Sequence, residues 1–209
     1  MPIQKLIVQQ INSSIMLGVI LCGGQSSRMG SDKGLLRLQT GTWTQRAAEK
    51  IQSFAIPVIV SVNPAQAATY QSKLPGYKLV TDNPSLSLKG PLSGVLSVHV
   101  EYPTEDLLVL ACDMPMMETE ILKELISRYQ LFPDQNAFAY KIKGEPEPLC
   151  GIYRADCLSH IVSLYYSNQL AKHSMKYMLD HSRPYFIPAS SAQENYFLNI
   201  NTHADLNGL

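Results

Sequence analysis

Leu17-Gly18-Val19-Ile20-Leu21-Cys22-Gly23-Gly24-Gln25-Ser26-Ser27-Arg28-Met29-Gly30-Ser31-Asp32-Lys33 reads as a buried strand running straight into a glycine-rich loop that carries Arg28 and Lys33. Gly23 and Gly24 lack the Cβ that keeps a backbone N–H away from a ligand, so this bend can turn amide hydrogens toward phosphate oxygens. Arg28 can grip a phosphate side-on through two parallel N–H bonds, and Lys33 offers a compact charge to a single oxygen. Neither G-x-x-x-x-G-K-[ST] nor G-x-G-x-x-G occurs in the chain, which excludes a P-loop and a dinucleotide fingerprint. The loop is equipment for a triphosphate, held in another way.

Outward from this segment, apolar runs of strand length alternate with stretches of helical period. Strands are expected at 17–21, 58–62, 78–81 and 107–111, and later near 137–140, 149–153, 185–187 and 197–200. Helices are expected over 44–54 and 64–74, from Pro91 toward Tyr102, and over 118–129, where Ile121, Leu122, Leu125 and Ile126 share one face. The pattern predicts a single α/β domain of Rossmann-like, three-layer type with a mainly parallel sheet, spanning residues 16–209. In such sheets ligands lie at the carboxyl ends of the strands. The glycine-rich loop, Asp82 and Cys112-Asp113-Met114-Pro115 each follow a strand, so they should converge on one edge.

The chain has 209 residues, enough for a buried core without disulfides or a structural metal. Lys plus Arg and Asp plus Glu number 17 each, so no overall field draws the protein to nucleic acid or to an anionic membrane, and an anionic ligand must be held by local charge. Cys22, Cys112, Cys150 and Cys157 form no C-x-x-C and no zinc spacing, which suits a reduced, cytoplasmic protein. The leader, residues 1–15, breaks its apolar run with Gln9, Gln10 and Asn12 and so reads as neither signal peptide nor anchor. An ordered extra edge, a frayed tail and an upstream start are all open for it.

Asp113 follows the apolar run Leu107 to Ala111, a central strand by its composition. Its carboxylate either caps a turn before Pro115 or supplies a hard oxygen to Mg²⁺, an ion that uses one or two carboxylates together with substrate phosphates. Asp82, in Val80-Thr81-Asp82-Asn83-Pro84, is either a turn former or an acceptor for a base or ribose. Lys89-Gly90-Pro91-Leu92-Ser93-Gly94 is a second glycine-bracketed loop entering a helix, where free N–H groups can face an anion. Glu145-Pro146-Glu147-Pro148-Leu149 reads as an acidic, proline-stiffened loop, and Asn199 and Asn201 as two asparagines on one face of a strand end; scaffolding is open for both. Lys172, His173 and Lys176 are expected on a helix. The five histidines offer no H-x-x-x-H pattern and no Ser-His-Asp arrangement.

Leu21-Cys22-Gly23-Gly24 through Arg28-Met29-Gly30, then Asp32-Lys33-Gly34-Leu35-Leu36, resembles the signature of the MobA-type molybdenum cofactor guanylyltransferases of the nucleotidyltransferase superfamily. Gly90 to Gly94, Cys112 to Pro115 and Asn199-Ile200-Asn201-Thr202 resemble that family's later blocks, in the same order. The resemblance implies a glycosyltransferase-A-like nucleotidyltransferase fold. It further implies Mg²⁺-dependent transfer of GMP from GTP to the terminal phosphate of molybdopterin cofactor, with cofactor-delivery or molybdoenzyme-maturation proteins as partners. By position it assigns Leu21, Cys22, Gly23, Gly24, Lys33, Asn63, Asp82 and Asp113 to the nucleotide and Arg28, Lys33 and Asp113 to catalysis. Asp113 is also the metal ligand, and Lys172, Asn199 and Asn201 fall on the acceptor side. The double glycine resembles the GTP-using branch, since the cytidylyltransferase branch usually has alanine before the second glycine. Ser61 departs from the asparagine common in relatives, and Asn63 is its neighbour on the same strand face. The alternatives are a cytidylyltransferase or sugar-phosphate nucleotidyltransferase of the same superfamily, and a non-catalytic nucleotide-binding regulator.

Overall fold

The computed structural model describes residues 15–23, 32–38 and 41–200. The expected leader, apart from Ile15, and Gly24, Arg28 and Asn201 lie outside the described residues. Strands β1 (Met16–Leu21), β4 (Val58–Val62), β5 (Lys78–Thr81), β6 (Asp106–Ala111), β7 (Ala137–Ile142), β8 (Glu145–Tyr153) and β9 (Pro184–Pro188) form one seven-stranded sheet, ordered β5-β4-β1-β6-β8-β7-β9. A short antiparallel ribbon, β2 (Arg37–Leu38) with β3 (Gly41–Thr42), leads into the first helix.

β5, β4, β1 and β6 run parallel, and the order reverses at β1: the chain moves to one side through β4 and β5, then returns to place β6 on the other. This reversal leaves a crevice at the carboxyl ends of β1 and β6, the place where open α/β sheets take their ligands. β8 runs antiparallel to both β6 and β7, and β9 pairs parallel with β7.

Helices cover both faces because the strands are apolar on both. Ile20, Val60, Leu108, Leu110 and Phe138 pack with α1 (Trp43–Gln52), α2 (Ala67–Lys73) and α4 (Thr119–Leu131). Leu17, Val19, Leu21, Leu107 and Val109, on the opposite face, pack with α3 (Pro91–Glu101), α5 (Ala155–Tyr166) and α6 (Met175–Asp180). Among the described residues no helix is long and apolar enough to cross a membrane.

The first seven expected strands are present within a few residues. The eighth is not: Glu194–Phe197 is a turn of 3-10 helix, and Leu198–Ile200 follows as irregular chain with Phe197 and Ile200 buried. Its apolar spacing serves docking onto the core rather than a ladder. The Glu145–Leu149 segment, expected as a loop, is the first half of β8. Both prolines are tolerated because β6 pairs only with Cys150–Tyr153: Pro146 has a partner on one side only, Lys141 of β7, and Pro148 falls where the register with β7 shifts. Lys172 and His173 precede α6 rather than lying on it; Ser174 caps that helix by accepting the Tyr177 N–H at 3.2 Å, so only Lys176 is helical. α5 has no counterpart among the expected helices.

Candidate active site

The carboxyl ends of the four parallel strands are stitched into one edge by single backbone hydrogen bonds beyond the ladders. Cys22 N–H donates to Ser61 O at 2.9 Å, Cys112 N–H to Leu21 O at 3.1 Å, and Asp82 N–H to Val62 O at 3.1 Å. Along this edge lies a cavity of about 590 Å³, bordered by Leu21, Gly23, Asn63, Asp82, Lys89 and Gly90. That volume falls in the range of small-molecule sites. Among the described residues an added Cβ at Gly23 would meet only the Asn63 amide, at 3.9 Å, an ordinary contact. Gly94 differs. A Cβ there would stand 2.6 Å from Ser61 Oγ and 3.2 Å from Leu21 Cδ2, so the glycine lets α3 press onto β4 and β1.

Gly90, at φ +72°, turns the chain into α3, and Pro91 fills the first helical position, where no N–H is needed. The opening of α3 therefore faces the cavity, with the positive end of its dipole toward any anion there. Burial raises the Asp82 carboxyl above its ordinary value, and a hydrogen bond from Ser93 opposes the shift.

Lys33 and Asp113 meet just past the carboxyl end of β6. Lys33 opens the 3-10 turn Lys33–Leu35, and its Nζ stands 3.5 Å from Asp113 Oδ2. Burial raises the Asp113 carboxyl, and the Lys33 charge holds it back. A largely buried carboxylate whose pKa stays raised with Lys33 beside it would be favoured by further positive charge, which a divalent ion would supply. The antiparallel β8 adds a residue that sequence reasoning left outside the site. Glu147, in the half of β8 beyond its pairing with β6, lies close enough to Asp113 for the two charges to interact. Burial raises Glu147, the Leu149 N–H opposes this at 2.9 Å, and the charge of Asp113 adds to the rise. No sequence pattern signals that proximity, because it depends on β8 running backward beside β6.

The thiols are not placed for nucleophilic work. Cys112 is pushed well above its ordinary pKa by its hydrogen bond with Cys22 and by burial, and Cys157 is pushed up to about 12 by burial first. Among the described residues no group of three or more His, Cys, Asp or Glu side chains could hold a metal ion, so an ion at Asp113 would take most of its ligands from phosphate and water oxygens.

The structure thus brings together Leu21, Cys22, Gly23, Lys33, Asn63, Asp82 and Asp113 on one sheet edge. Asn199 is exposed, and its neighbour Ile200 donates its N–H to Asp113 O at 3.0 Å, so the C-terminal segment is tied to the end of β6. Lys172 is exposed in the segment before α6, away from the cavity lining. Its neighbour His173 borders a different cavity, of about 440 Å³, behind the loop where Ser87 N–H donates to Tyr165 Oη at 2.7 Å. Gln66 and Tyr70 were also missed. Their hydrogen bonds to Asp32 depend on how α2 docks, although the spacing of Asn63 and Gln66 is that of a local side-chain-to-backbone exchange.

Residues 18–183 match the family model described as the MobA-like NTP transferase domain. The chain belongs to that family. It is therefore a nucleotidyltransferase by family, and relatives bear this out. The chain is 34% identical over 192 residues to a probable molybdenum cofactor guanylyltransferase of Flavobacterium johnsoniae, covering 91% of this chain and 94% of that one. It is 35% identical over 149 residues to a probable molybdenum cofactor guanylyltransferase of Nostoc sp., covering 70% of each. Among solved structures, the molybdopterin-guanine dinucleotide biosynthesis protein A of Archaeoglobus fulgidus superposes with a TM-score of 0.73 at 20% identity, covering 92% of this chain and 96% of that one. A CMP:2-keto-3-deoxy-manno-octonic acid synthetase complexed with CTP has the same fold, with a TM-score of 0.68 at 16% identity over 93% of this chain and 96% of its own.

Proposed function

We propose that this MobA-like transferase moves GMP from GTP to the terminal phosphate of molybdopterin cofactor, with Mg²⁺, releasing pyrophosphate. The observation that carries the reading is the Lys33–Asp113 pair, 3.5 Å apart at the end of β6, on the same sheet edge as a nucleotide-sized cavity. Family membership and the names of the relatives support the choice of base and acceptor.

The reaction is an in-line displacement at the α-phosphorus. The acceptor phosphate is already an anion, so the protein's task is to align two repelling anions and to neutralise charge on the phosphoryl oxygens. Lys33 donates to a phosphate oxygen, the Gly23 amide faces the phosphate chain, and Asn63 and Asp82 bind base or ribose. Arg28 and Gly24 act on the phosphates from the preceding loop, and Lys172, Asn199 and Asn201 bind the acceptor. Asp113 holds Mg²⁺ through hard carboxylate oxygens. Bound there, the ion supplies Lewis-acid neutralisation of phosphoryl oxygens. No general base and no nucleophilic thiol is required, in keeping with the raised pKa values of the buried cysteines.

We place the reaction in the cytoplasm, where four free, buried thiols stay reduced. Cofactor-delivery or molybdoenzyme-maturation proteins are its proposed partners, and the balance of 17 basic and 17 acidic residues argues for no nucleic-acid or membrane partner. The test is purified protein with Mg²⁺, molybdopterin cofactor and GTP, CTP or ATP in parallel, with mass spectrometry for the dinucleotide product. A guanine dinucleotide formed only from GTP supports the reading. Equal use of CTP defeats the base assignment, turnover only with sugar phosphates defeats the acceptor, and GTP binding without pyrophosphate release defeats catalysis.

A further inference from the structure

Lysine has a long, flexible stem and three rotatable donors, so where its charge points depends on the backbone that carries it. Lys33 is carried by a 3-10 turn of three residues, closed by Leu35 N–H to Asp32 O at 3.1 Å and Leu36 N–H to Lys33 O at 3.0 Å. So short a turn has little stability of its own. What holds it is the side chain of its N-cap, Asp32. Asp32 Oδ1 accepts the Gly34 N–H at 3.1 Å and the Tyr70 hydroxyl at 2.6 Å, and Oδ2 accepts from Gln66 Nε2.

Both outside donors come from the α2 region, and each is itself fixed. Tyr70 is fully buried, with its hydroxyl against Gly34 so closely that an added Cβ there would run into it. Gln66 uses its whole polar inventory on the site's loops. Its amide donates to Asp32 and, at 3.1 Å, to Cys22 O; its Oε1 accepts the Asn63 N–H at 3.0 Å; its own N–H donates to Asn63 Oδ1 at 3.0 Å. One glutamine thus binds the end of β1, the end of β4 and the lysine turn into a single unit. Thr44, from α1, closes the far side by donating to Gly34 O at 2.8 Å.

We propose that Tyr70 and Gln66 are positioning residues for Lys33: they clamp the Asp32 carboxylate and thereby aim the Lys33 ammonium at Asp113 and the phosphate chain. The inference rests on the reading of Lys33 as a phosphate-binding group. Neither residue touches substrate; each acts through Asp32. Burial pushes the Tyr70 phenol far above its ordinary value, so it stays a donor across the working pH range.

The test is a double-mutant cycle with inorganic pyrophosphate and Mg²⁺ as the probe, read by calorimetry on the full chain. Tyr70→Phe keeps the ring and removes one donor; in the wild-type background it should weaken pyrophosphate about 10-fold, the size of one lost hydrogen bond to a charged group. In the Lys33→Ala background the same change should weaken it less than about twofold, because nothing remains to be aimed. Gln66→Met should behave alike and carries the cycle should Tyr70→Phe unfold. Equal losses in both backgrounds, for either variant, would mean a role in packing only and would overturn the proposal. A second readout separates this from the phosphate reading: the Lys33 Cε cross-peak in NMR, assigned by Lys33→Arg, should report a more mobile side chain in Tyr70→Phe with no ligand present. Lys33→Ala with unchanged pyrophosphate affinity would sink the phosphate reading while the cross-peak still judged the clamp; an unchanged cross-peak would sink the clamp.

Discussion

Lys33 Nζ lies 3.5 Å from Asp113 Oδ2, with the two side chains 15% and 25% exposed, so the loop after β1 and the tip of β6 meet through one partly shielded ion pair. Each group sets the condition of the other: the ammonium opposes the rise that burial imposes on the carboxyl, and the carboxylate holds the ammonium at the end of β6.

Asp113→Ala should lower kcat by about 10²-fold or more, roughly 3 kcal/mol, the scale of a lost electrostatic stabiliser. Steady-state turnover at saturating GTP across a Mg²⁺ titration measures it. Turnover and metal dependence equal to wild type would remove Asp113 from the chemistry.

Lys33→Ala should depress kcat/KM for the triphosphate and also shift the acid limb of the pH profile. With the lysine gone, the main influence opposing burial at Asp113 is lost, its pKa rises further, and activity should fade at a higher pH than in wild type. A pH profile of the residual turnover with an unmoved acid limb would contradict the coupling.

Gly34→Ala places a methyl against the Tyr70 hydroxyl and 2.7 Å from Thr44 Oγ1, between two side chains that cannot retreat. The expected loss is about 1–3 kcal/mol of stability, with turnover impaired because the lysine turn is displaced. Chemical denaturation together with kcat decides it; an unchanged midpoint would mean the turn moves freely.

Asp106→Asn tests the opposite end of the same strand. Asp106 is nearly fully buried, accepts the Tyr129 hydroxyl at 2.6 Å and the Ala155 N–H at 2.8 Å, and pairs with Arg154 at 3.5 Å. Removing its charge should cost about 3 kcal/mol, while kcat per folded molecule stays at the wild-type value. A selective loss of kcat would show that this network reaches the site.

His99, buried in α3 with Nε2 3.0 Å from Ser159 Oγ, has its pKa lowered by burial. The unfolded chain takes up the proton near pH 6.5 and the folded chain only at lower pH, so between those two values the unfolded state binds more protons. Stability should therefore fall as pH drops below about 6.5, by up to about 1.4 kcal/mol per pH unit, until folded His99 titrates. The raised carboxylates Asp82, Asp113 and Glu147 act in the opposite sense. Comparing denaturation of wild type and His99→Gln between about pH 7.5 and 5.5 isolates the histidine; identical slopes would refute it.

The parallel half of the sheet was legible because strands buried on both faces must be continuous apolar runs, and Leu17–Leu21 and Leu107–Ala111 admit little else. The gathering of Gly23, Asp82 and Asp113 on one edge was legible because each follows a parallel strand, and such strands end together. Phe197, Leu198 and Ile200 misled because apolar spacing alone does not separate a ladder strand from a segment docked on the core. Pro146 and Pro148 misled in reverse, since a proline is excluded only where both neighbours bond; Pro146 has one neighbouring strand and Pro148 sits at a register shift. Asp32, Gln66 and Tyr70 stayed hidden because their meeting is tertiary.

The hairpin that joins β7 to β8 turns on Lys143 and Gly144, both at positive φ, the tightest connection two antiparallel strands allow. Glu147 is consequently held in the main sheet by its pairing with Tyr140, a short way from that turn. Under the proposed transfer, an acceptor entering beside Glu147 would meet sheet rather than a long loop, and selection against bulkier phosphates there would act by shape.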